Sequence, residues 1–575
     1  MGKKIVIIGA VALGPKVACR ARRLDPDADI LLVDRDDLIS YGGCGIPYYV
    51  SDDVTDLDLL RKTTYHAVRD EDFFRDFKRI TVKTRTEATF VDRKSKTVRM
   101  RNLDSGAEEI TPYDVLVLAT GSSPSVPPVE GASLKGAWTV ANLHDAKAVK
   151  ALLQSGKIRS AVIVGAGAIG LEMAEGMADL WGVETTVVEM APQILPQALG
   201  PDMARLAQNE LEKHEVRVLT GDRLLKVVDD GAGNVAGVLL EKAGEVPCQL
   251  VIFATGVRPN TILAREAGLA LGTLGGILVD DRMRTSDPHI YAGGDCVELR
   301  HLVSGESVFM ALGSLANRQG RVIGTNVAGG HAVFKGSVGT FCIKIFGLGV
   351  ARAGLTEAQA RAAGFDPVCG LMGMSDRAHF YPSEKMMFLK LIADRHTRRI
   401  IGVEALGENG DAVKARVDSV AALLPQGPTT EDVSNLEVSY SPPFASAMDI
   451  LNACANTLEN ILDGRNKAMS AEEFLERFNK GELTVVDIRQ AESAKAGQDK
   501  HGDRWLSIPL ETLAERWAEV PREKDAVLLC SSGLRSYESQ QILNAKGIEL
   551  PHVQGGWFLL RGLDPGLLEL EDKGS

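Results

Sequence analysis

Two cysteines in this 575-residue chain stand in settings suited to sulfur chemistry. Cys44 lies in Ser40-Tyr41-Gly42-Gly43-Cys44-Gly45-Ile46-Pro47-Tyr48-Tyr49. Flanking glycines are a poor core environment for a thiol. They keep the backbone slim enough for a planar group to approach, and a following helix N-terminus would stabilise the thiolate. Cys530 opens Cys530-Ser531-Ser532-Gly533-Leu534-Arg535-Ser536, after the apolar run AVLLC and before a helix expected from Ser536. Backbone N–H groups wrapped around one sulfur at a helix start, with Arg535 near, lower a thiol pKa and suit a terminal persulfide. The eight cysteines include no Cys-x-x-Cys pair and no Cys/His cluster, so no metal site is expected.

The elements that must position Cys44 come in two copies. IVIIGAVALG (5–14) resembles AVIVGAGAIG (161–170), and VLVLATGSSPSVP (115–127) resembles VIFATGVRPN (251–260). Each copy runs from a β-rich apolar stretch through glycines into a helical pattern, then to a second strand ending in Asp34 or Glu189. That is the mononucleotide-binding unit of a doubly wound sheet, so two dinucleotides are expected. Gly165, Gly167 and Gly170 allow a tight turn and bring a pyrophosphate to a helix N-terminus. Glu189, nineteen residues past Gly170, can bond ribose hydroxyls and repel a 2′-phosphate. This favours NADH, while NADPH stays open because a nearby basic residue would override the preference. The first copy keeps Gly9 and Gly14 but has Val11 at the middle position. Asp34 and Arg35, Ala119-Thr120-Gly121, the second-copy Gly256, and Gly293-Gly294-Asp295 complete the pattern. Asp295 is expected near the second pyrophosphate and its sugar chain.

This order of motifs over residues 1–455 resembles the two-dinucleotide flavoprotein disulfide reductases, which implies FAD in the first site and NAD(P)H in the second. Reductases with an internal redox pair carry a second cysteine where this chain has Tyr49. The oxidised partner of Cys44 must then be an external thiol, or oxygen as a sulfenic acid. The segment Cys44 to Tyr49 is similar to that of coenzyme A disulfide reductases. That likeness implies a mixed disulfide with coenzyme A, and two tyrosines from the partner subunit, matched by Tyr381 and Tyr440. Coenzyme A carries phosphates, for which Arg20, Arg23, Arg61 and Lys62 are candidates; a solvated helix face accounts for Arg20 and Arg23 almost as well. The turn departs from the family in having fewer glycines and Pro15-Lys16.

The loop from Cys530 to Arg535 resembles the active loop of rhodaneses, as do Val485 to Arg489 and Gly555-Gly556-Trp557. Four residues separate Cys530 from Arg535, fitting a sulfur atom; phosphatases of related fold have five.

The implied fold class is α/β: two Rossmann-like dinucleotide-binding domains, an α+β dimerisation domain and a C-terminal α/β rhodanese domain. The expected boundaries are 1–121 with 254–325 for FAD, 122–253 for NAD(P)H, 330–456 for a homodimer interface and 466–572 for the rhodanese. The implied activity is NAD(P)H-driven reduction of persulfide or polysulfide. Coenzyme A disulfide reduction, NADH oxidation and slow-turnover redox sensing are the alternatives.

Bulk composition excludes other classes. A net charge of −12 without a long basic run offers nothing to neutralise nucleic-acid phosphates. No stretch reaches the roughly 18 apolar residues of a membrane span. The apolar start is broken at Pro15 and Lys16, so a secretory signal is rejected and a cytoplasmic protein with free thiols is expected.

Overall fold

The computed structural model describes residues 2–522 and 525–568; Met1, 523–524 and 569–572, within the expected boundaries, lie outside the described residues. The chain divides into two compact units. One comprises Met1–Pro192 and His214–Ser337, the other Gln193–Lys213 and Val338–Ser575.

The first unit holds two five-stranded parallel sheets built on the same plan. In one, Lys4–Ile8 lies between Asp29–Val33 and Val115–Leu118, with Thr81–Lys83 and Ile290–Ala292 at the edges. In the other, Ser160–Val164 lies between Glu184–Glu189 and Leu250–Phe253, with Arg217–Thr220 and Ala137–Trp138 outside. The central strands are nearly continuous buried aliphatics, as a sheet covered on both faces requires. Register does the positioning. Ile8 pairs with Val33 and Leu118, so Gly9, Asp34 and Ala119 follow at one edge; Val164 pairs with Val188 and Phe253, so Gly165, Glu189 and Ala254 do likewise. Ligands of open α/β sheets bind at this carboxyl edge. Just past Ala119, Ser122–Pro124 pairs with Val257–Pro259 in a short antiparallel ribbon.

The second unit carries an antiparallel sheet in the order Phe341–Ile345, Leu348–Gly354, Ile400–Gly407, Met386–Asp394, Pro367–Ser375. The helices Gly410–Leu423 and Ile450–Leu462 bury their apolar faces. Strands between Ala468 and Val553 form a separate five-stranded parallel sheet centred on Ala526–Leu529. The helix after Cys530 begins at Leu534, two residues before the expected Ser536.

One segment departs from the expected 122–253 boundary. Helix Pro201–Lys213 belongs with the second unit. Its start is tied there by Lys390 Nζ, 2.7 Å from Asp202 Oδ1, and by the Gly200 N–H donating to Glu404 Oε2 at 2.8 Å. Its far end is tied by Asn209, whose amide donates to the Gly562 and Leu563 carbonyls. Burial works against the Lys390 ammonium, yet Asp202 and Glu404 hold its pKa above the usual lysine value. Burial pushes Glu404 up to about 7 against the pull of Lys390. Lys390→Met would strand two carboxylates in the interior, at a cost of about 3 kcal/mol. The expected result is a lower urea midpoint at pH 8, with a smaller deficit at pH 6, where Glu404 takes up a proton.

Candidate active site

The two glycine turns are steric duplicates. Gly9 has φ +107°, and a Cβ there would lie 2.1 Å from the Ala119 carbonyl oxygen; Gly165 has φ +108°, and its Cβ would lie 2.4 Å from that of Ala254. A Cβ at Gly14 would meet the Gly9 oxygen at 1.9 Å, and one at Gly170 the Gly165 oxygen at 2.0 Å. These contacts press the helices Leu13–Leu24 and Ala168–Asp179 against the strand ends. The middle position is different: nothing lies within 4 Å of a Cβ at Gly167, so the protein itself places no demand for glycine there. This explains how Val11 is accommodated in the first copy.

The two acids also act alike. Asp34 Oδ2 accepts from the Ala10 N–H at 2.5 Å and Oδ1 from Asp36; Glu189 Oε2 accepts from Ala166 at 2.9 Å and Oε1 from Ala191. Each carboxylate is thus held by the glycine turn, and burial raises the Asp34 pKa. Arg35 next to it is exposed. Thr120 and Asn260 exchange hydrogen bonds, 2.6 and 2.9 Å, beside Gly121 (φ +63°) and the ribbon that leads from Gly256. Gly294 donates to Gln319 Oε1 at 2.7 Å, and half-buried Asp295 accepts from Ser122 at 3.1 Å; burial raises its pKa.

Cys44 is exposed, in the short turn Gly43–Gly45 that leads into the five-residue helix Ile46–Val50. The N-terminus that meets its sulfur comes from far along the chain: a Cβ at Gly313, first residue of helix Gly313–Val327, would lie 3.5 Å from Sγ. The expected low thiol pKa is not found. Although its surface opens to solvent, the surrounding protein desolvates the sulfur, and the carboxylates of Glu172 and Asp295 add to that; all three raise the pKa, against the opposing N–H of Gly313. Glu172 is the residue that sequence reasoning missed. It sits two residues beyond Gly170, accepts from the Tyr48 hydroxyl at 3.1 Å, and is raised to about 7 by burial. Its signal was its place on the second nucleotide helix, which packs on the Cys44 segment: the Trp181 indole donates to the Val50 carbonyl at 2.8 Å. Tyr49, standing where a second cysteine would be, is buried with the Lys150 ammonium 4.1 Å from its ring centre.

The candidate phosphate-binding arginines are dispersed in role. Arg20 donates to Thr325 Oγ1 at 3.1 Å, Arg23 is exposed, Arg61 pairs with Asp58 at 3.1 Å and Lys62 with Asp56 at 3.1 Å. Lys78, Arg23, Lys16 and Arg69 all act electrostatically on Cys19, which marks a basic face around this helix.

In the second unit, half-buried Tyr381 and exposed Tyr440 ride on two loops stitched together. Ala378 donates to the Pro442 carbonyl, and Ser446 to that of Arg377. Buried Arg416 donates to the carbonyls of Asp376 and Phe444 while paired with Asp449 at 2.8 Å. Phe380, Phe444 and Met448 are exposed beside them. Cys530 is only 1% exposed and accepts from the Gly533 N–H at 3.0 Å; Arg535 donates to Ser531 Oγ at 2.9 Å.

A profile described as pyridine nucleotide-disulphide oxidoreductase matches residues 3–320, and its dimerisation-domain counterpart matches residues 340–451. The chain belongs to this family. It is a flavoprotein oxidoreductase using FAD and a nicotinamide dinucleotide, and the duplicated turns, closed to any side chain at Gly14 and Gly170 but open at the middle position, suit two pyrophosphates. It is 34% identical over 459 residues to the NAD(P)H coenzyme A polysulfide/persulfide reductase of Pyrococcus horikoshii, covering 80% of this chain and 99% of that one. The structure of a NAD-dependent persulfide reductase from A. fulgidus superposes with a TM-score of 0.91 at 39% identity, covering 96% and 100%. That of reduced Bacillus anthracis CoADR-RHD superposes with a TM-score of 0.89 at 32% identity, covering 99% and 100%. No helix among the described residues is long and apolar enough to cross a membrane.

Glu172→Gln removes a negative charge beside Cys44, so the thiol pKa falls. Iodoacetamide should modify Cys44 on the order of threefold faster than in wild type at pH 8. At pH 6, where Glu172 is already protonated, the two rates should coincide.

Proposed function

We propose that this protein is an NADH-dependent persulfide or polysulfide reductase in which Cys44 is the redox thiol and Cys530 a rhodanese-type sulfur carrier. The observation that carries the reading is Cys44 itself: exposed at a helix N-terminus, flanked by Glu172 and Asp295, with Tyr49 where an internal partner would stand.

In this reading Gly9, Val11, Gly14, Asp34, Arg35, Ala119 to Gly121, Gly294 and Asp295 hold FAD. Gly165, Gly167, Gly170, Glu189 and Gly256 hold NADH, with NADPH disfavoured by the carboxylate of Glu189. FAD bound there supplies the two-electron reduction of a disulfide by a nicotinamide hydride. Cys530 thiolate takes a sulfane sulfur from its donor and passes it to coenzyme A. Cys44 thiolate then attacks the inner sulfur of the coenzyme A persulfide, breaking its S–S bond, releasing hydrosulfide and keeping a Cys44–coenzyme A mixed disulfide. Reduction of that bond returns both thiols. Glu172, poised near neutrality, moves a proton at the Cys44 sulfur through the Tyr48 hydroxyl side of the site. Arg23 on the basic face, with Arg20 and Arg61, meets the coenzyme A phosphates. The likeness to proteins whose names include coenzyme A supports this assignment.

The protein acts as a homodimer, for which the dimerisation-domain match and the exposed Phe380, Phe444 and Met448 give support. Tyr381 and Tyr440 of one subunit then donate hydrogen bonds to sulfur at the Cys44 of the other. Eight free cysteines suit a reducing, cytoplasmic setting.

Cys44→Ser is expected to abolish NADH-linked sulfide release from polysulfide, and Cys530→Ser to remove mainly the part that depends on an added sulfur donor. Equal turnover in wild type and Cys44→Ser defeats the reading. Parallel assays with coenzyme A disulfide and with oxygen separate it from the simpler reductase and oxidase. Gly14→Ala should yield colourless protein, whereas Gly170→Ala should keep its flavin absorbance and lose NADH oxidation.

A further inference from the structure

Behind Cys530 lies a buried row of hydrogen-bonding side chains that the mechanism above does not use. The Ser536 hydroxyl is 3.4 Å from Cys530 Sγ, 3.2 Å from His552 Nδ1 and 3.0 Å from the Gly533 carbonyl. On the far side of the imidazole, Nε2 is 2.7 Å from Asn466 Oδ1. Cys530, Ser536, His552 and Asn466 are all 5% exposed or less. With Nε2 facing an amide carbonyl and carrying the ring hydrogen, Nδ1 can accept the one Ser536 hydroxyl hydrogen, in competition with the Gly533 carbonyl and Cys530 Sγ. Ser536 in turn can accept from a Cys530 thiol. The row ends at a cleft within the second unit, where Asn466, His552 and Tyr537 face Leu371, Met372 and Thr457.

We propose that Ser536, His552 and Asn466 form a proton relay from the buried Cys530 sulfur to this cleft, with His552 a positioning residue for the thiolate that accepts sulfur. The relay rests on the sulfur-carrier reading for its purpose. Its proton balance is closed. The thiol proton passes to Ser536 Oγ, the Ser536 proton to His552 Nδ1, and the Nε2 proton to water in the cleft. The Asn466 amide turns to offer Nδ2 to the freed Nε2. One proton leaves, the imidazole ends neutral as its other tautomer, and the Ser536 O–H now donates to the sulfur anion. A neutral ring matters because burial pushes the His552 pKa down to about 4, so a lasting imidazolium is disfavoured. The charged and titratable groups on the surrounding elements are otherwise engaged or peripheral. Asp487 and Arg489 pair with each other, Arg535 bonds Ser531, Arg561 lies over Phe558, Glu538 is exposed, and the Tyr537 ring is 6.4 Å from that of His552.

The test is the pH profile of Cys530 carbamidomethylation by iodoacetamide in the full-length protein, followed by peptide mass spectrometry. Ser536→Ala should raise the midpoint by about one pH unit, His552→Phe should do the same, and the double variant should shift no further. His552→Asn, whose amide keeps a hydrogen bond to Ser536 near the Nδ1 position but hands no proton to the cleft, should keep the midpoint near wild type, because the midpoint reads the hydrogen bonds that position the thiolate. An unshifted profile in Ser536→Ala, or shifts that add in the double variant, overturns the relay. Should His552→Phe fail to fold, Ser536→Ala with His552→Asn decides: a His552→Asn profile displaced as far as that of Ser536→Ala also overturns it. The sulfur-carrier reading fails separately, if wild-type Cys530 gains no one-sulfur mass increment from thiosulfate; the alkylation profile does not depend on that transfer.

Discussion

A helix can aim its unsatisfied N–H groups at a pyrophosphate only if it starts almost in contact with the strand before it. In both halves of the first unit that contact leaves no room for a side chain: the carbonyl of Gly9 faces Gly14 and that of Gly165 faces Gly170 at distances where a Cβ cannot fit. The rest of the site follows from this closeness. Strand register places Asp34 and Glu189 beside the turns, and the helix that grows from Gly170 carries Glu172 to Cys44.

The surroundings of Cys44 are therefore set by three distant stretches of chain rather than by its own neighbours. Gly313 brings a helix N-terminus, Gly170 leads to a carboxylate of nearly neutral pKa, and Trp181 pins the segment by its indole. Favourable N–H groups and unfavourable carboxylates oppose each other at one sulfur, with desolvation deciding the balance toward the thiol. Protonation of Glu172 removes one of the two carboxylate charges that raise the Cys44 pKa.

Much of this was legible in the chain. The duplicated glycine runs and the acids that end the second strands follow from periodicity and spacing, because they are local patterns with strong steric causes. Val11 looked like a defect only until the open space at Gly167 showed that the fold makes no demand at that position. The groups that raise the Cys44 pKa were hidden for a different reason. Sequence shows which helix follows a cysteine, but not which carboxylates folding brings beside it. The row behind Cys530 was equally hidden, since Asn466, Ser536 and His552 are spread over more than eighty residues and meet only in the folded domain.

Helix Pro201–Lys213 gives the molecule an unusual seam. The segment Gln193–Lys213 that carries it is flanked on both sides by chain of the first unit, while the helix's interior face, with Met203, Leu206, Ala207 and Leu211, is buried in the second. No single peptide bond divides the two halves. A cut at any one peptide bond therefore cannot release the second unit alone with this helix still in it.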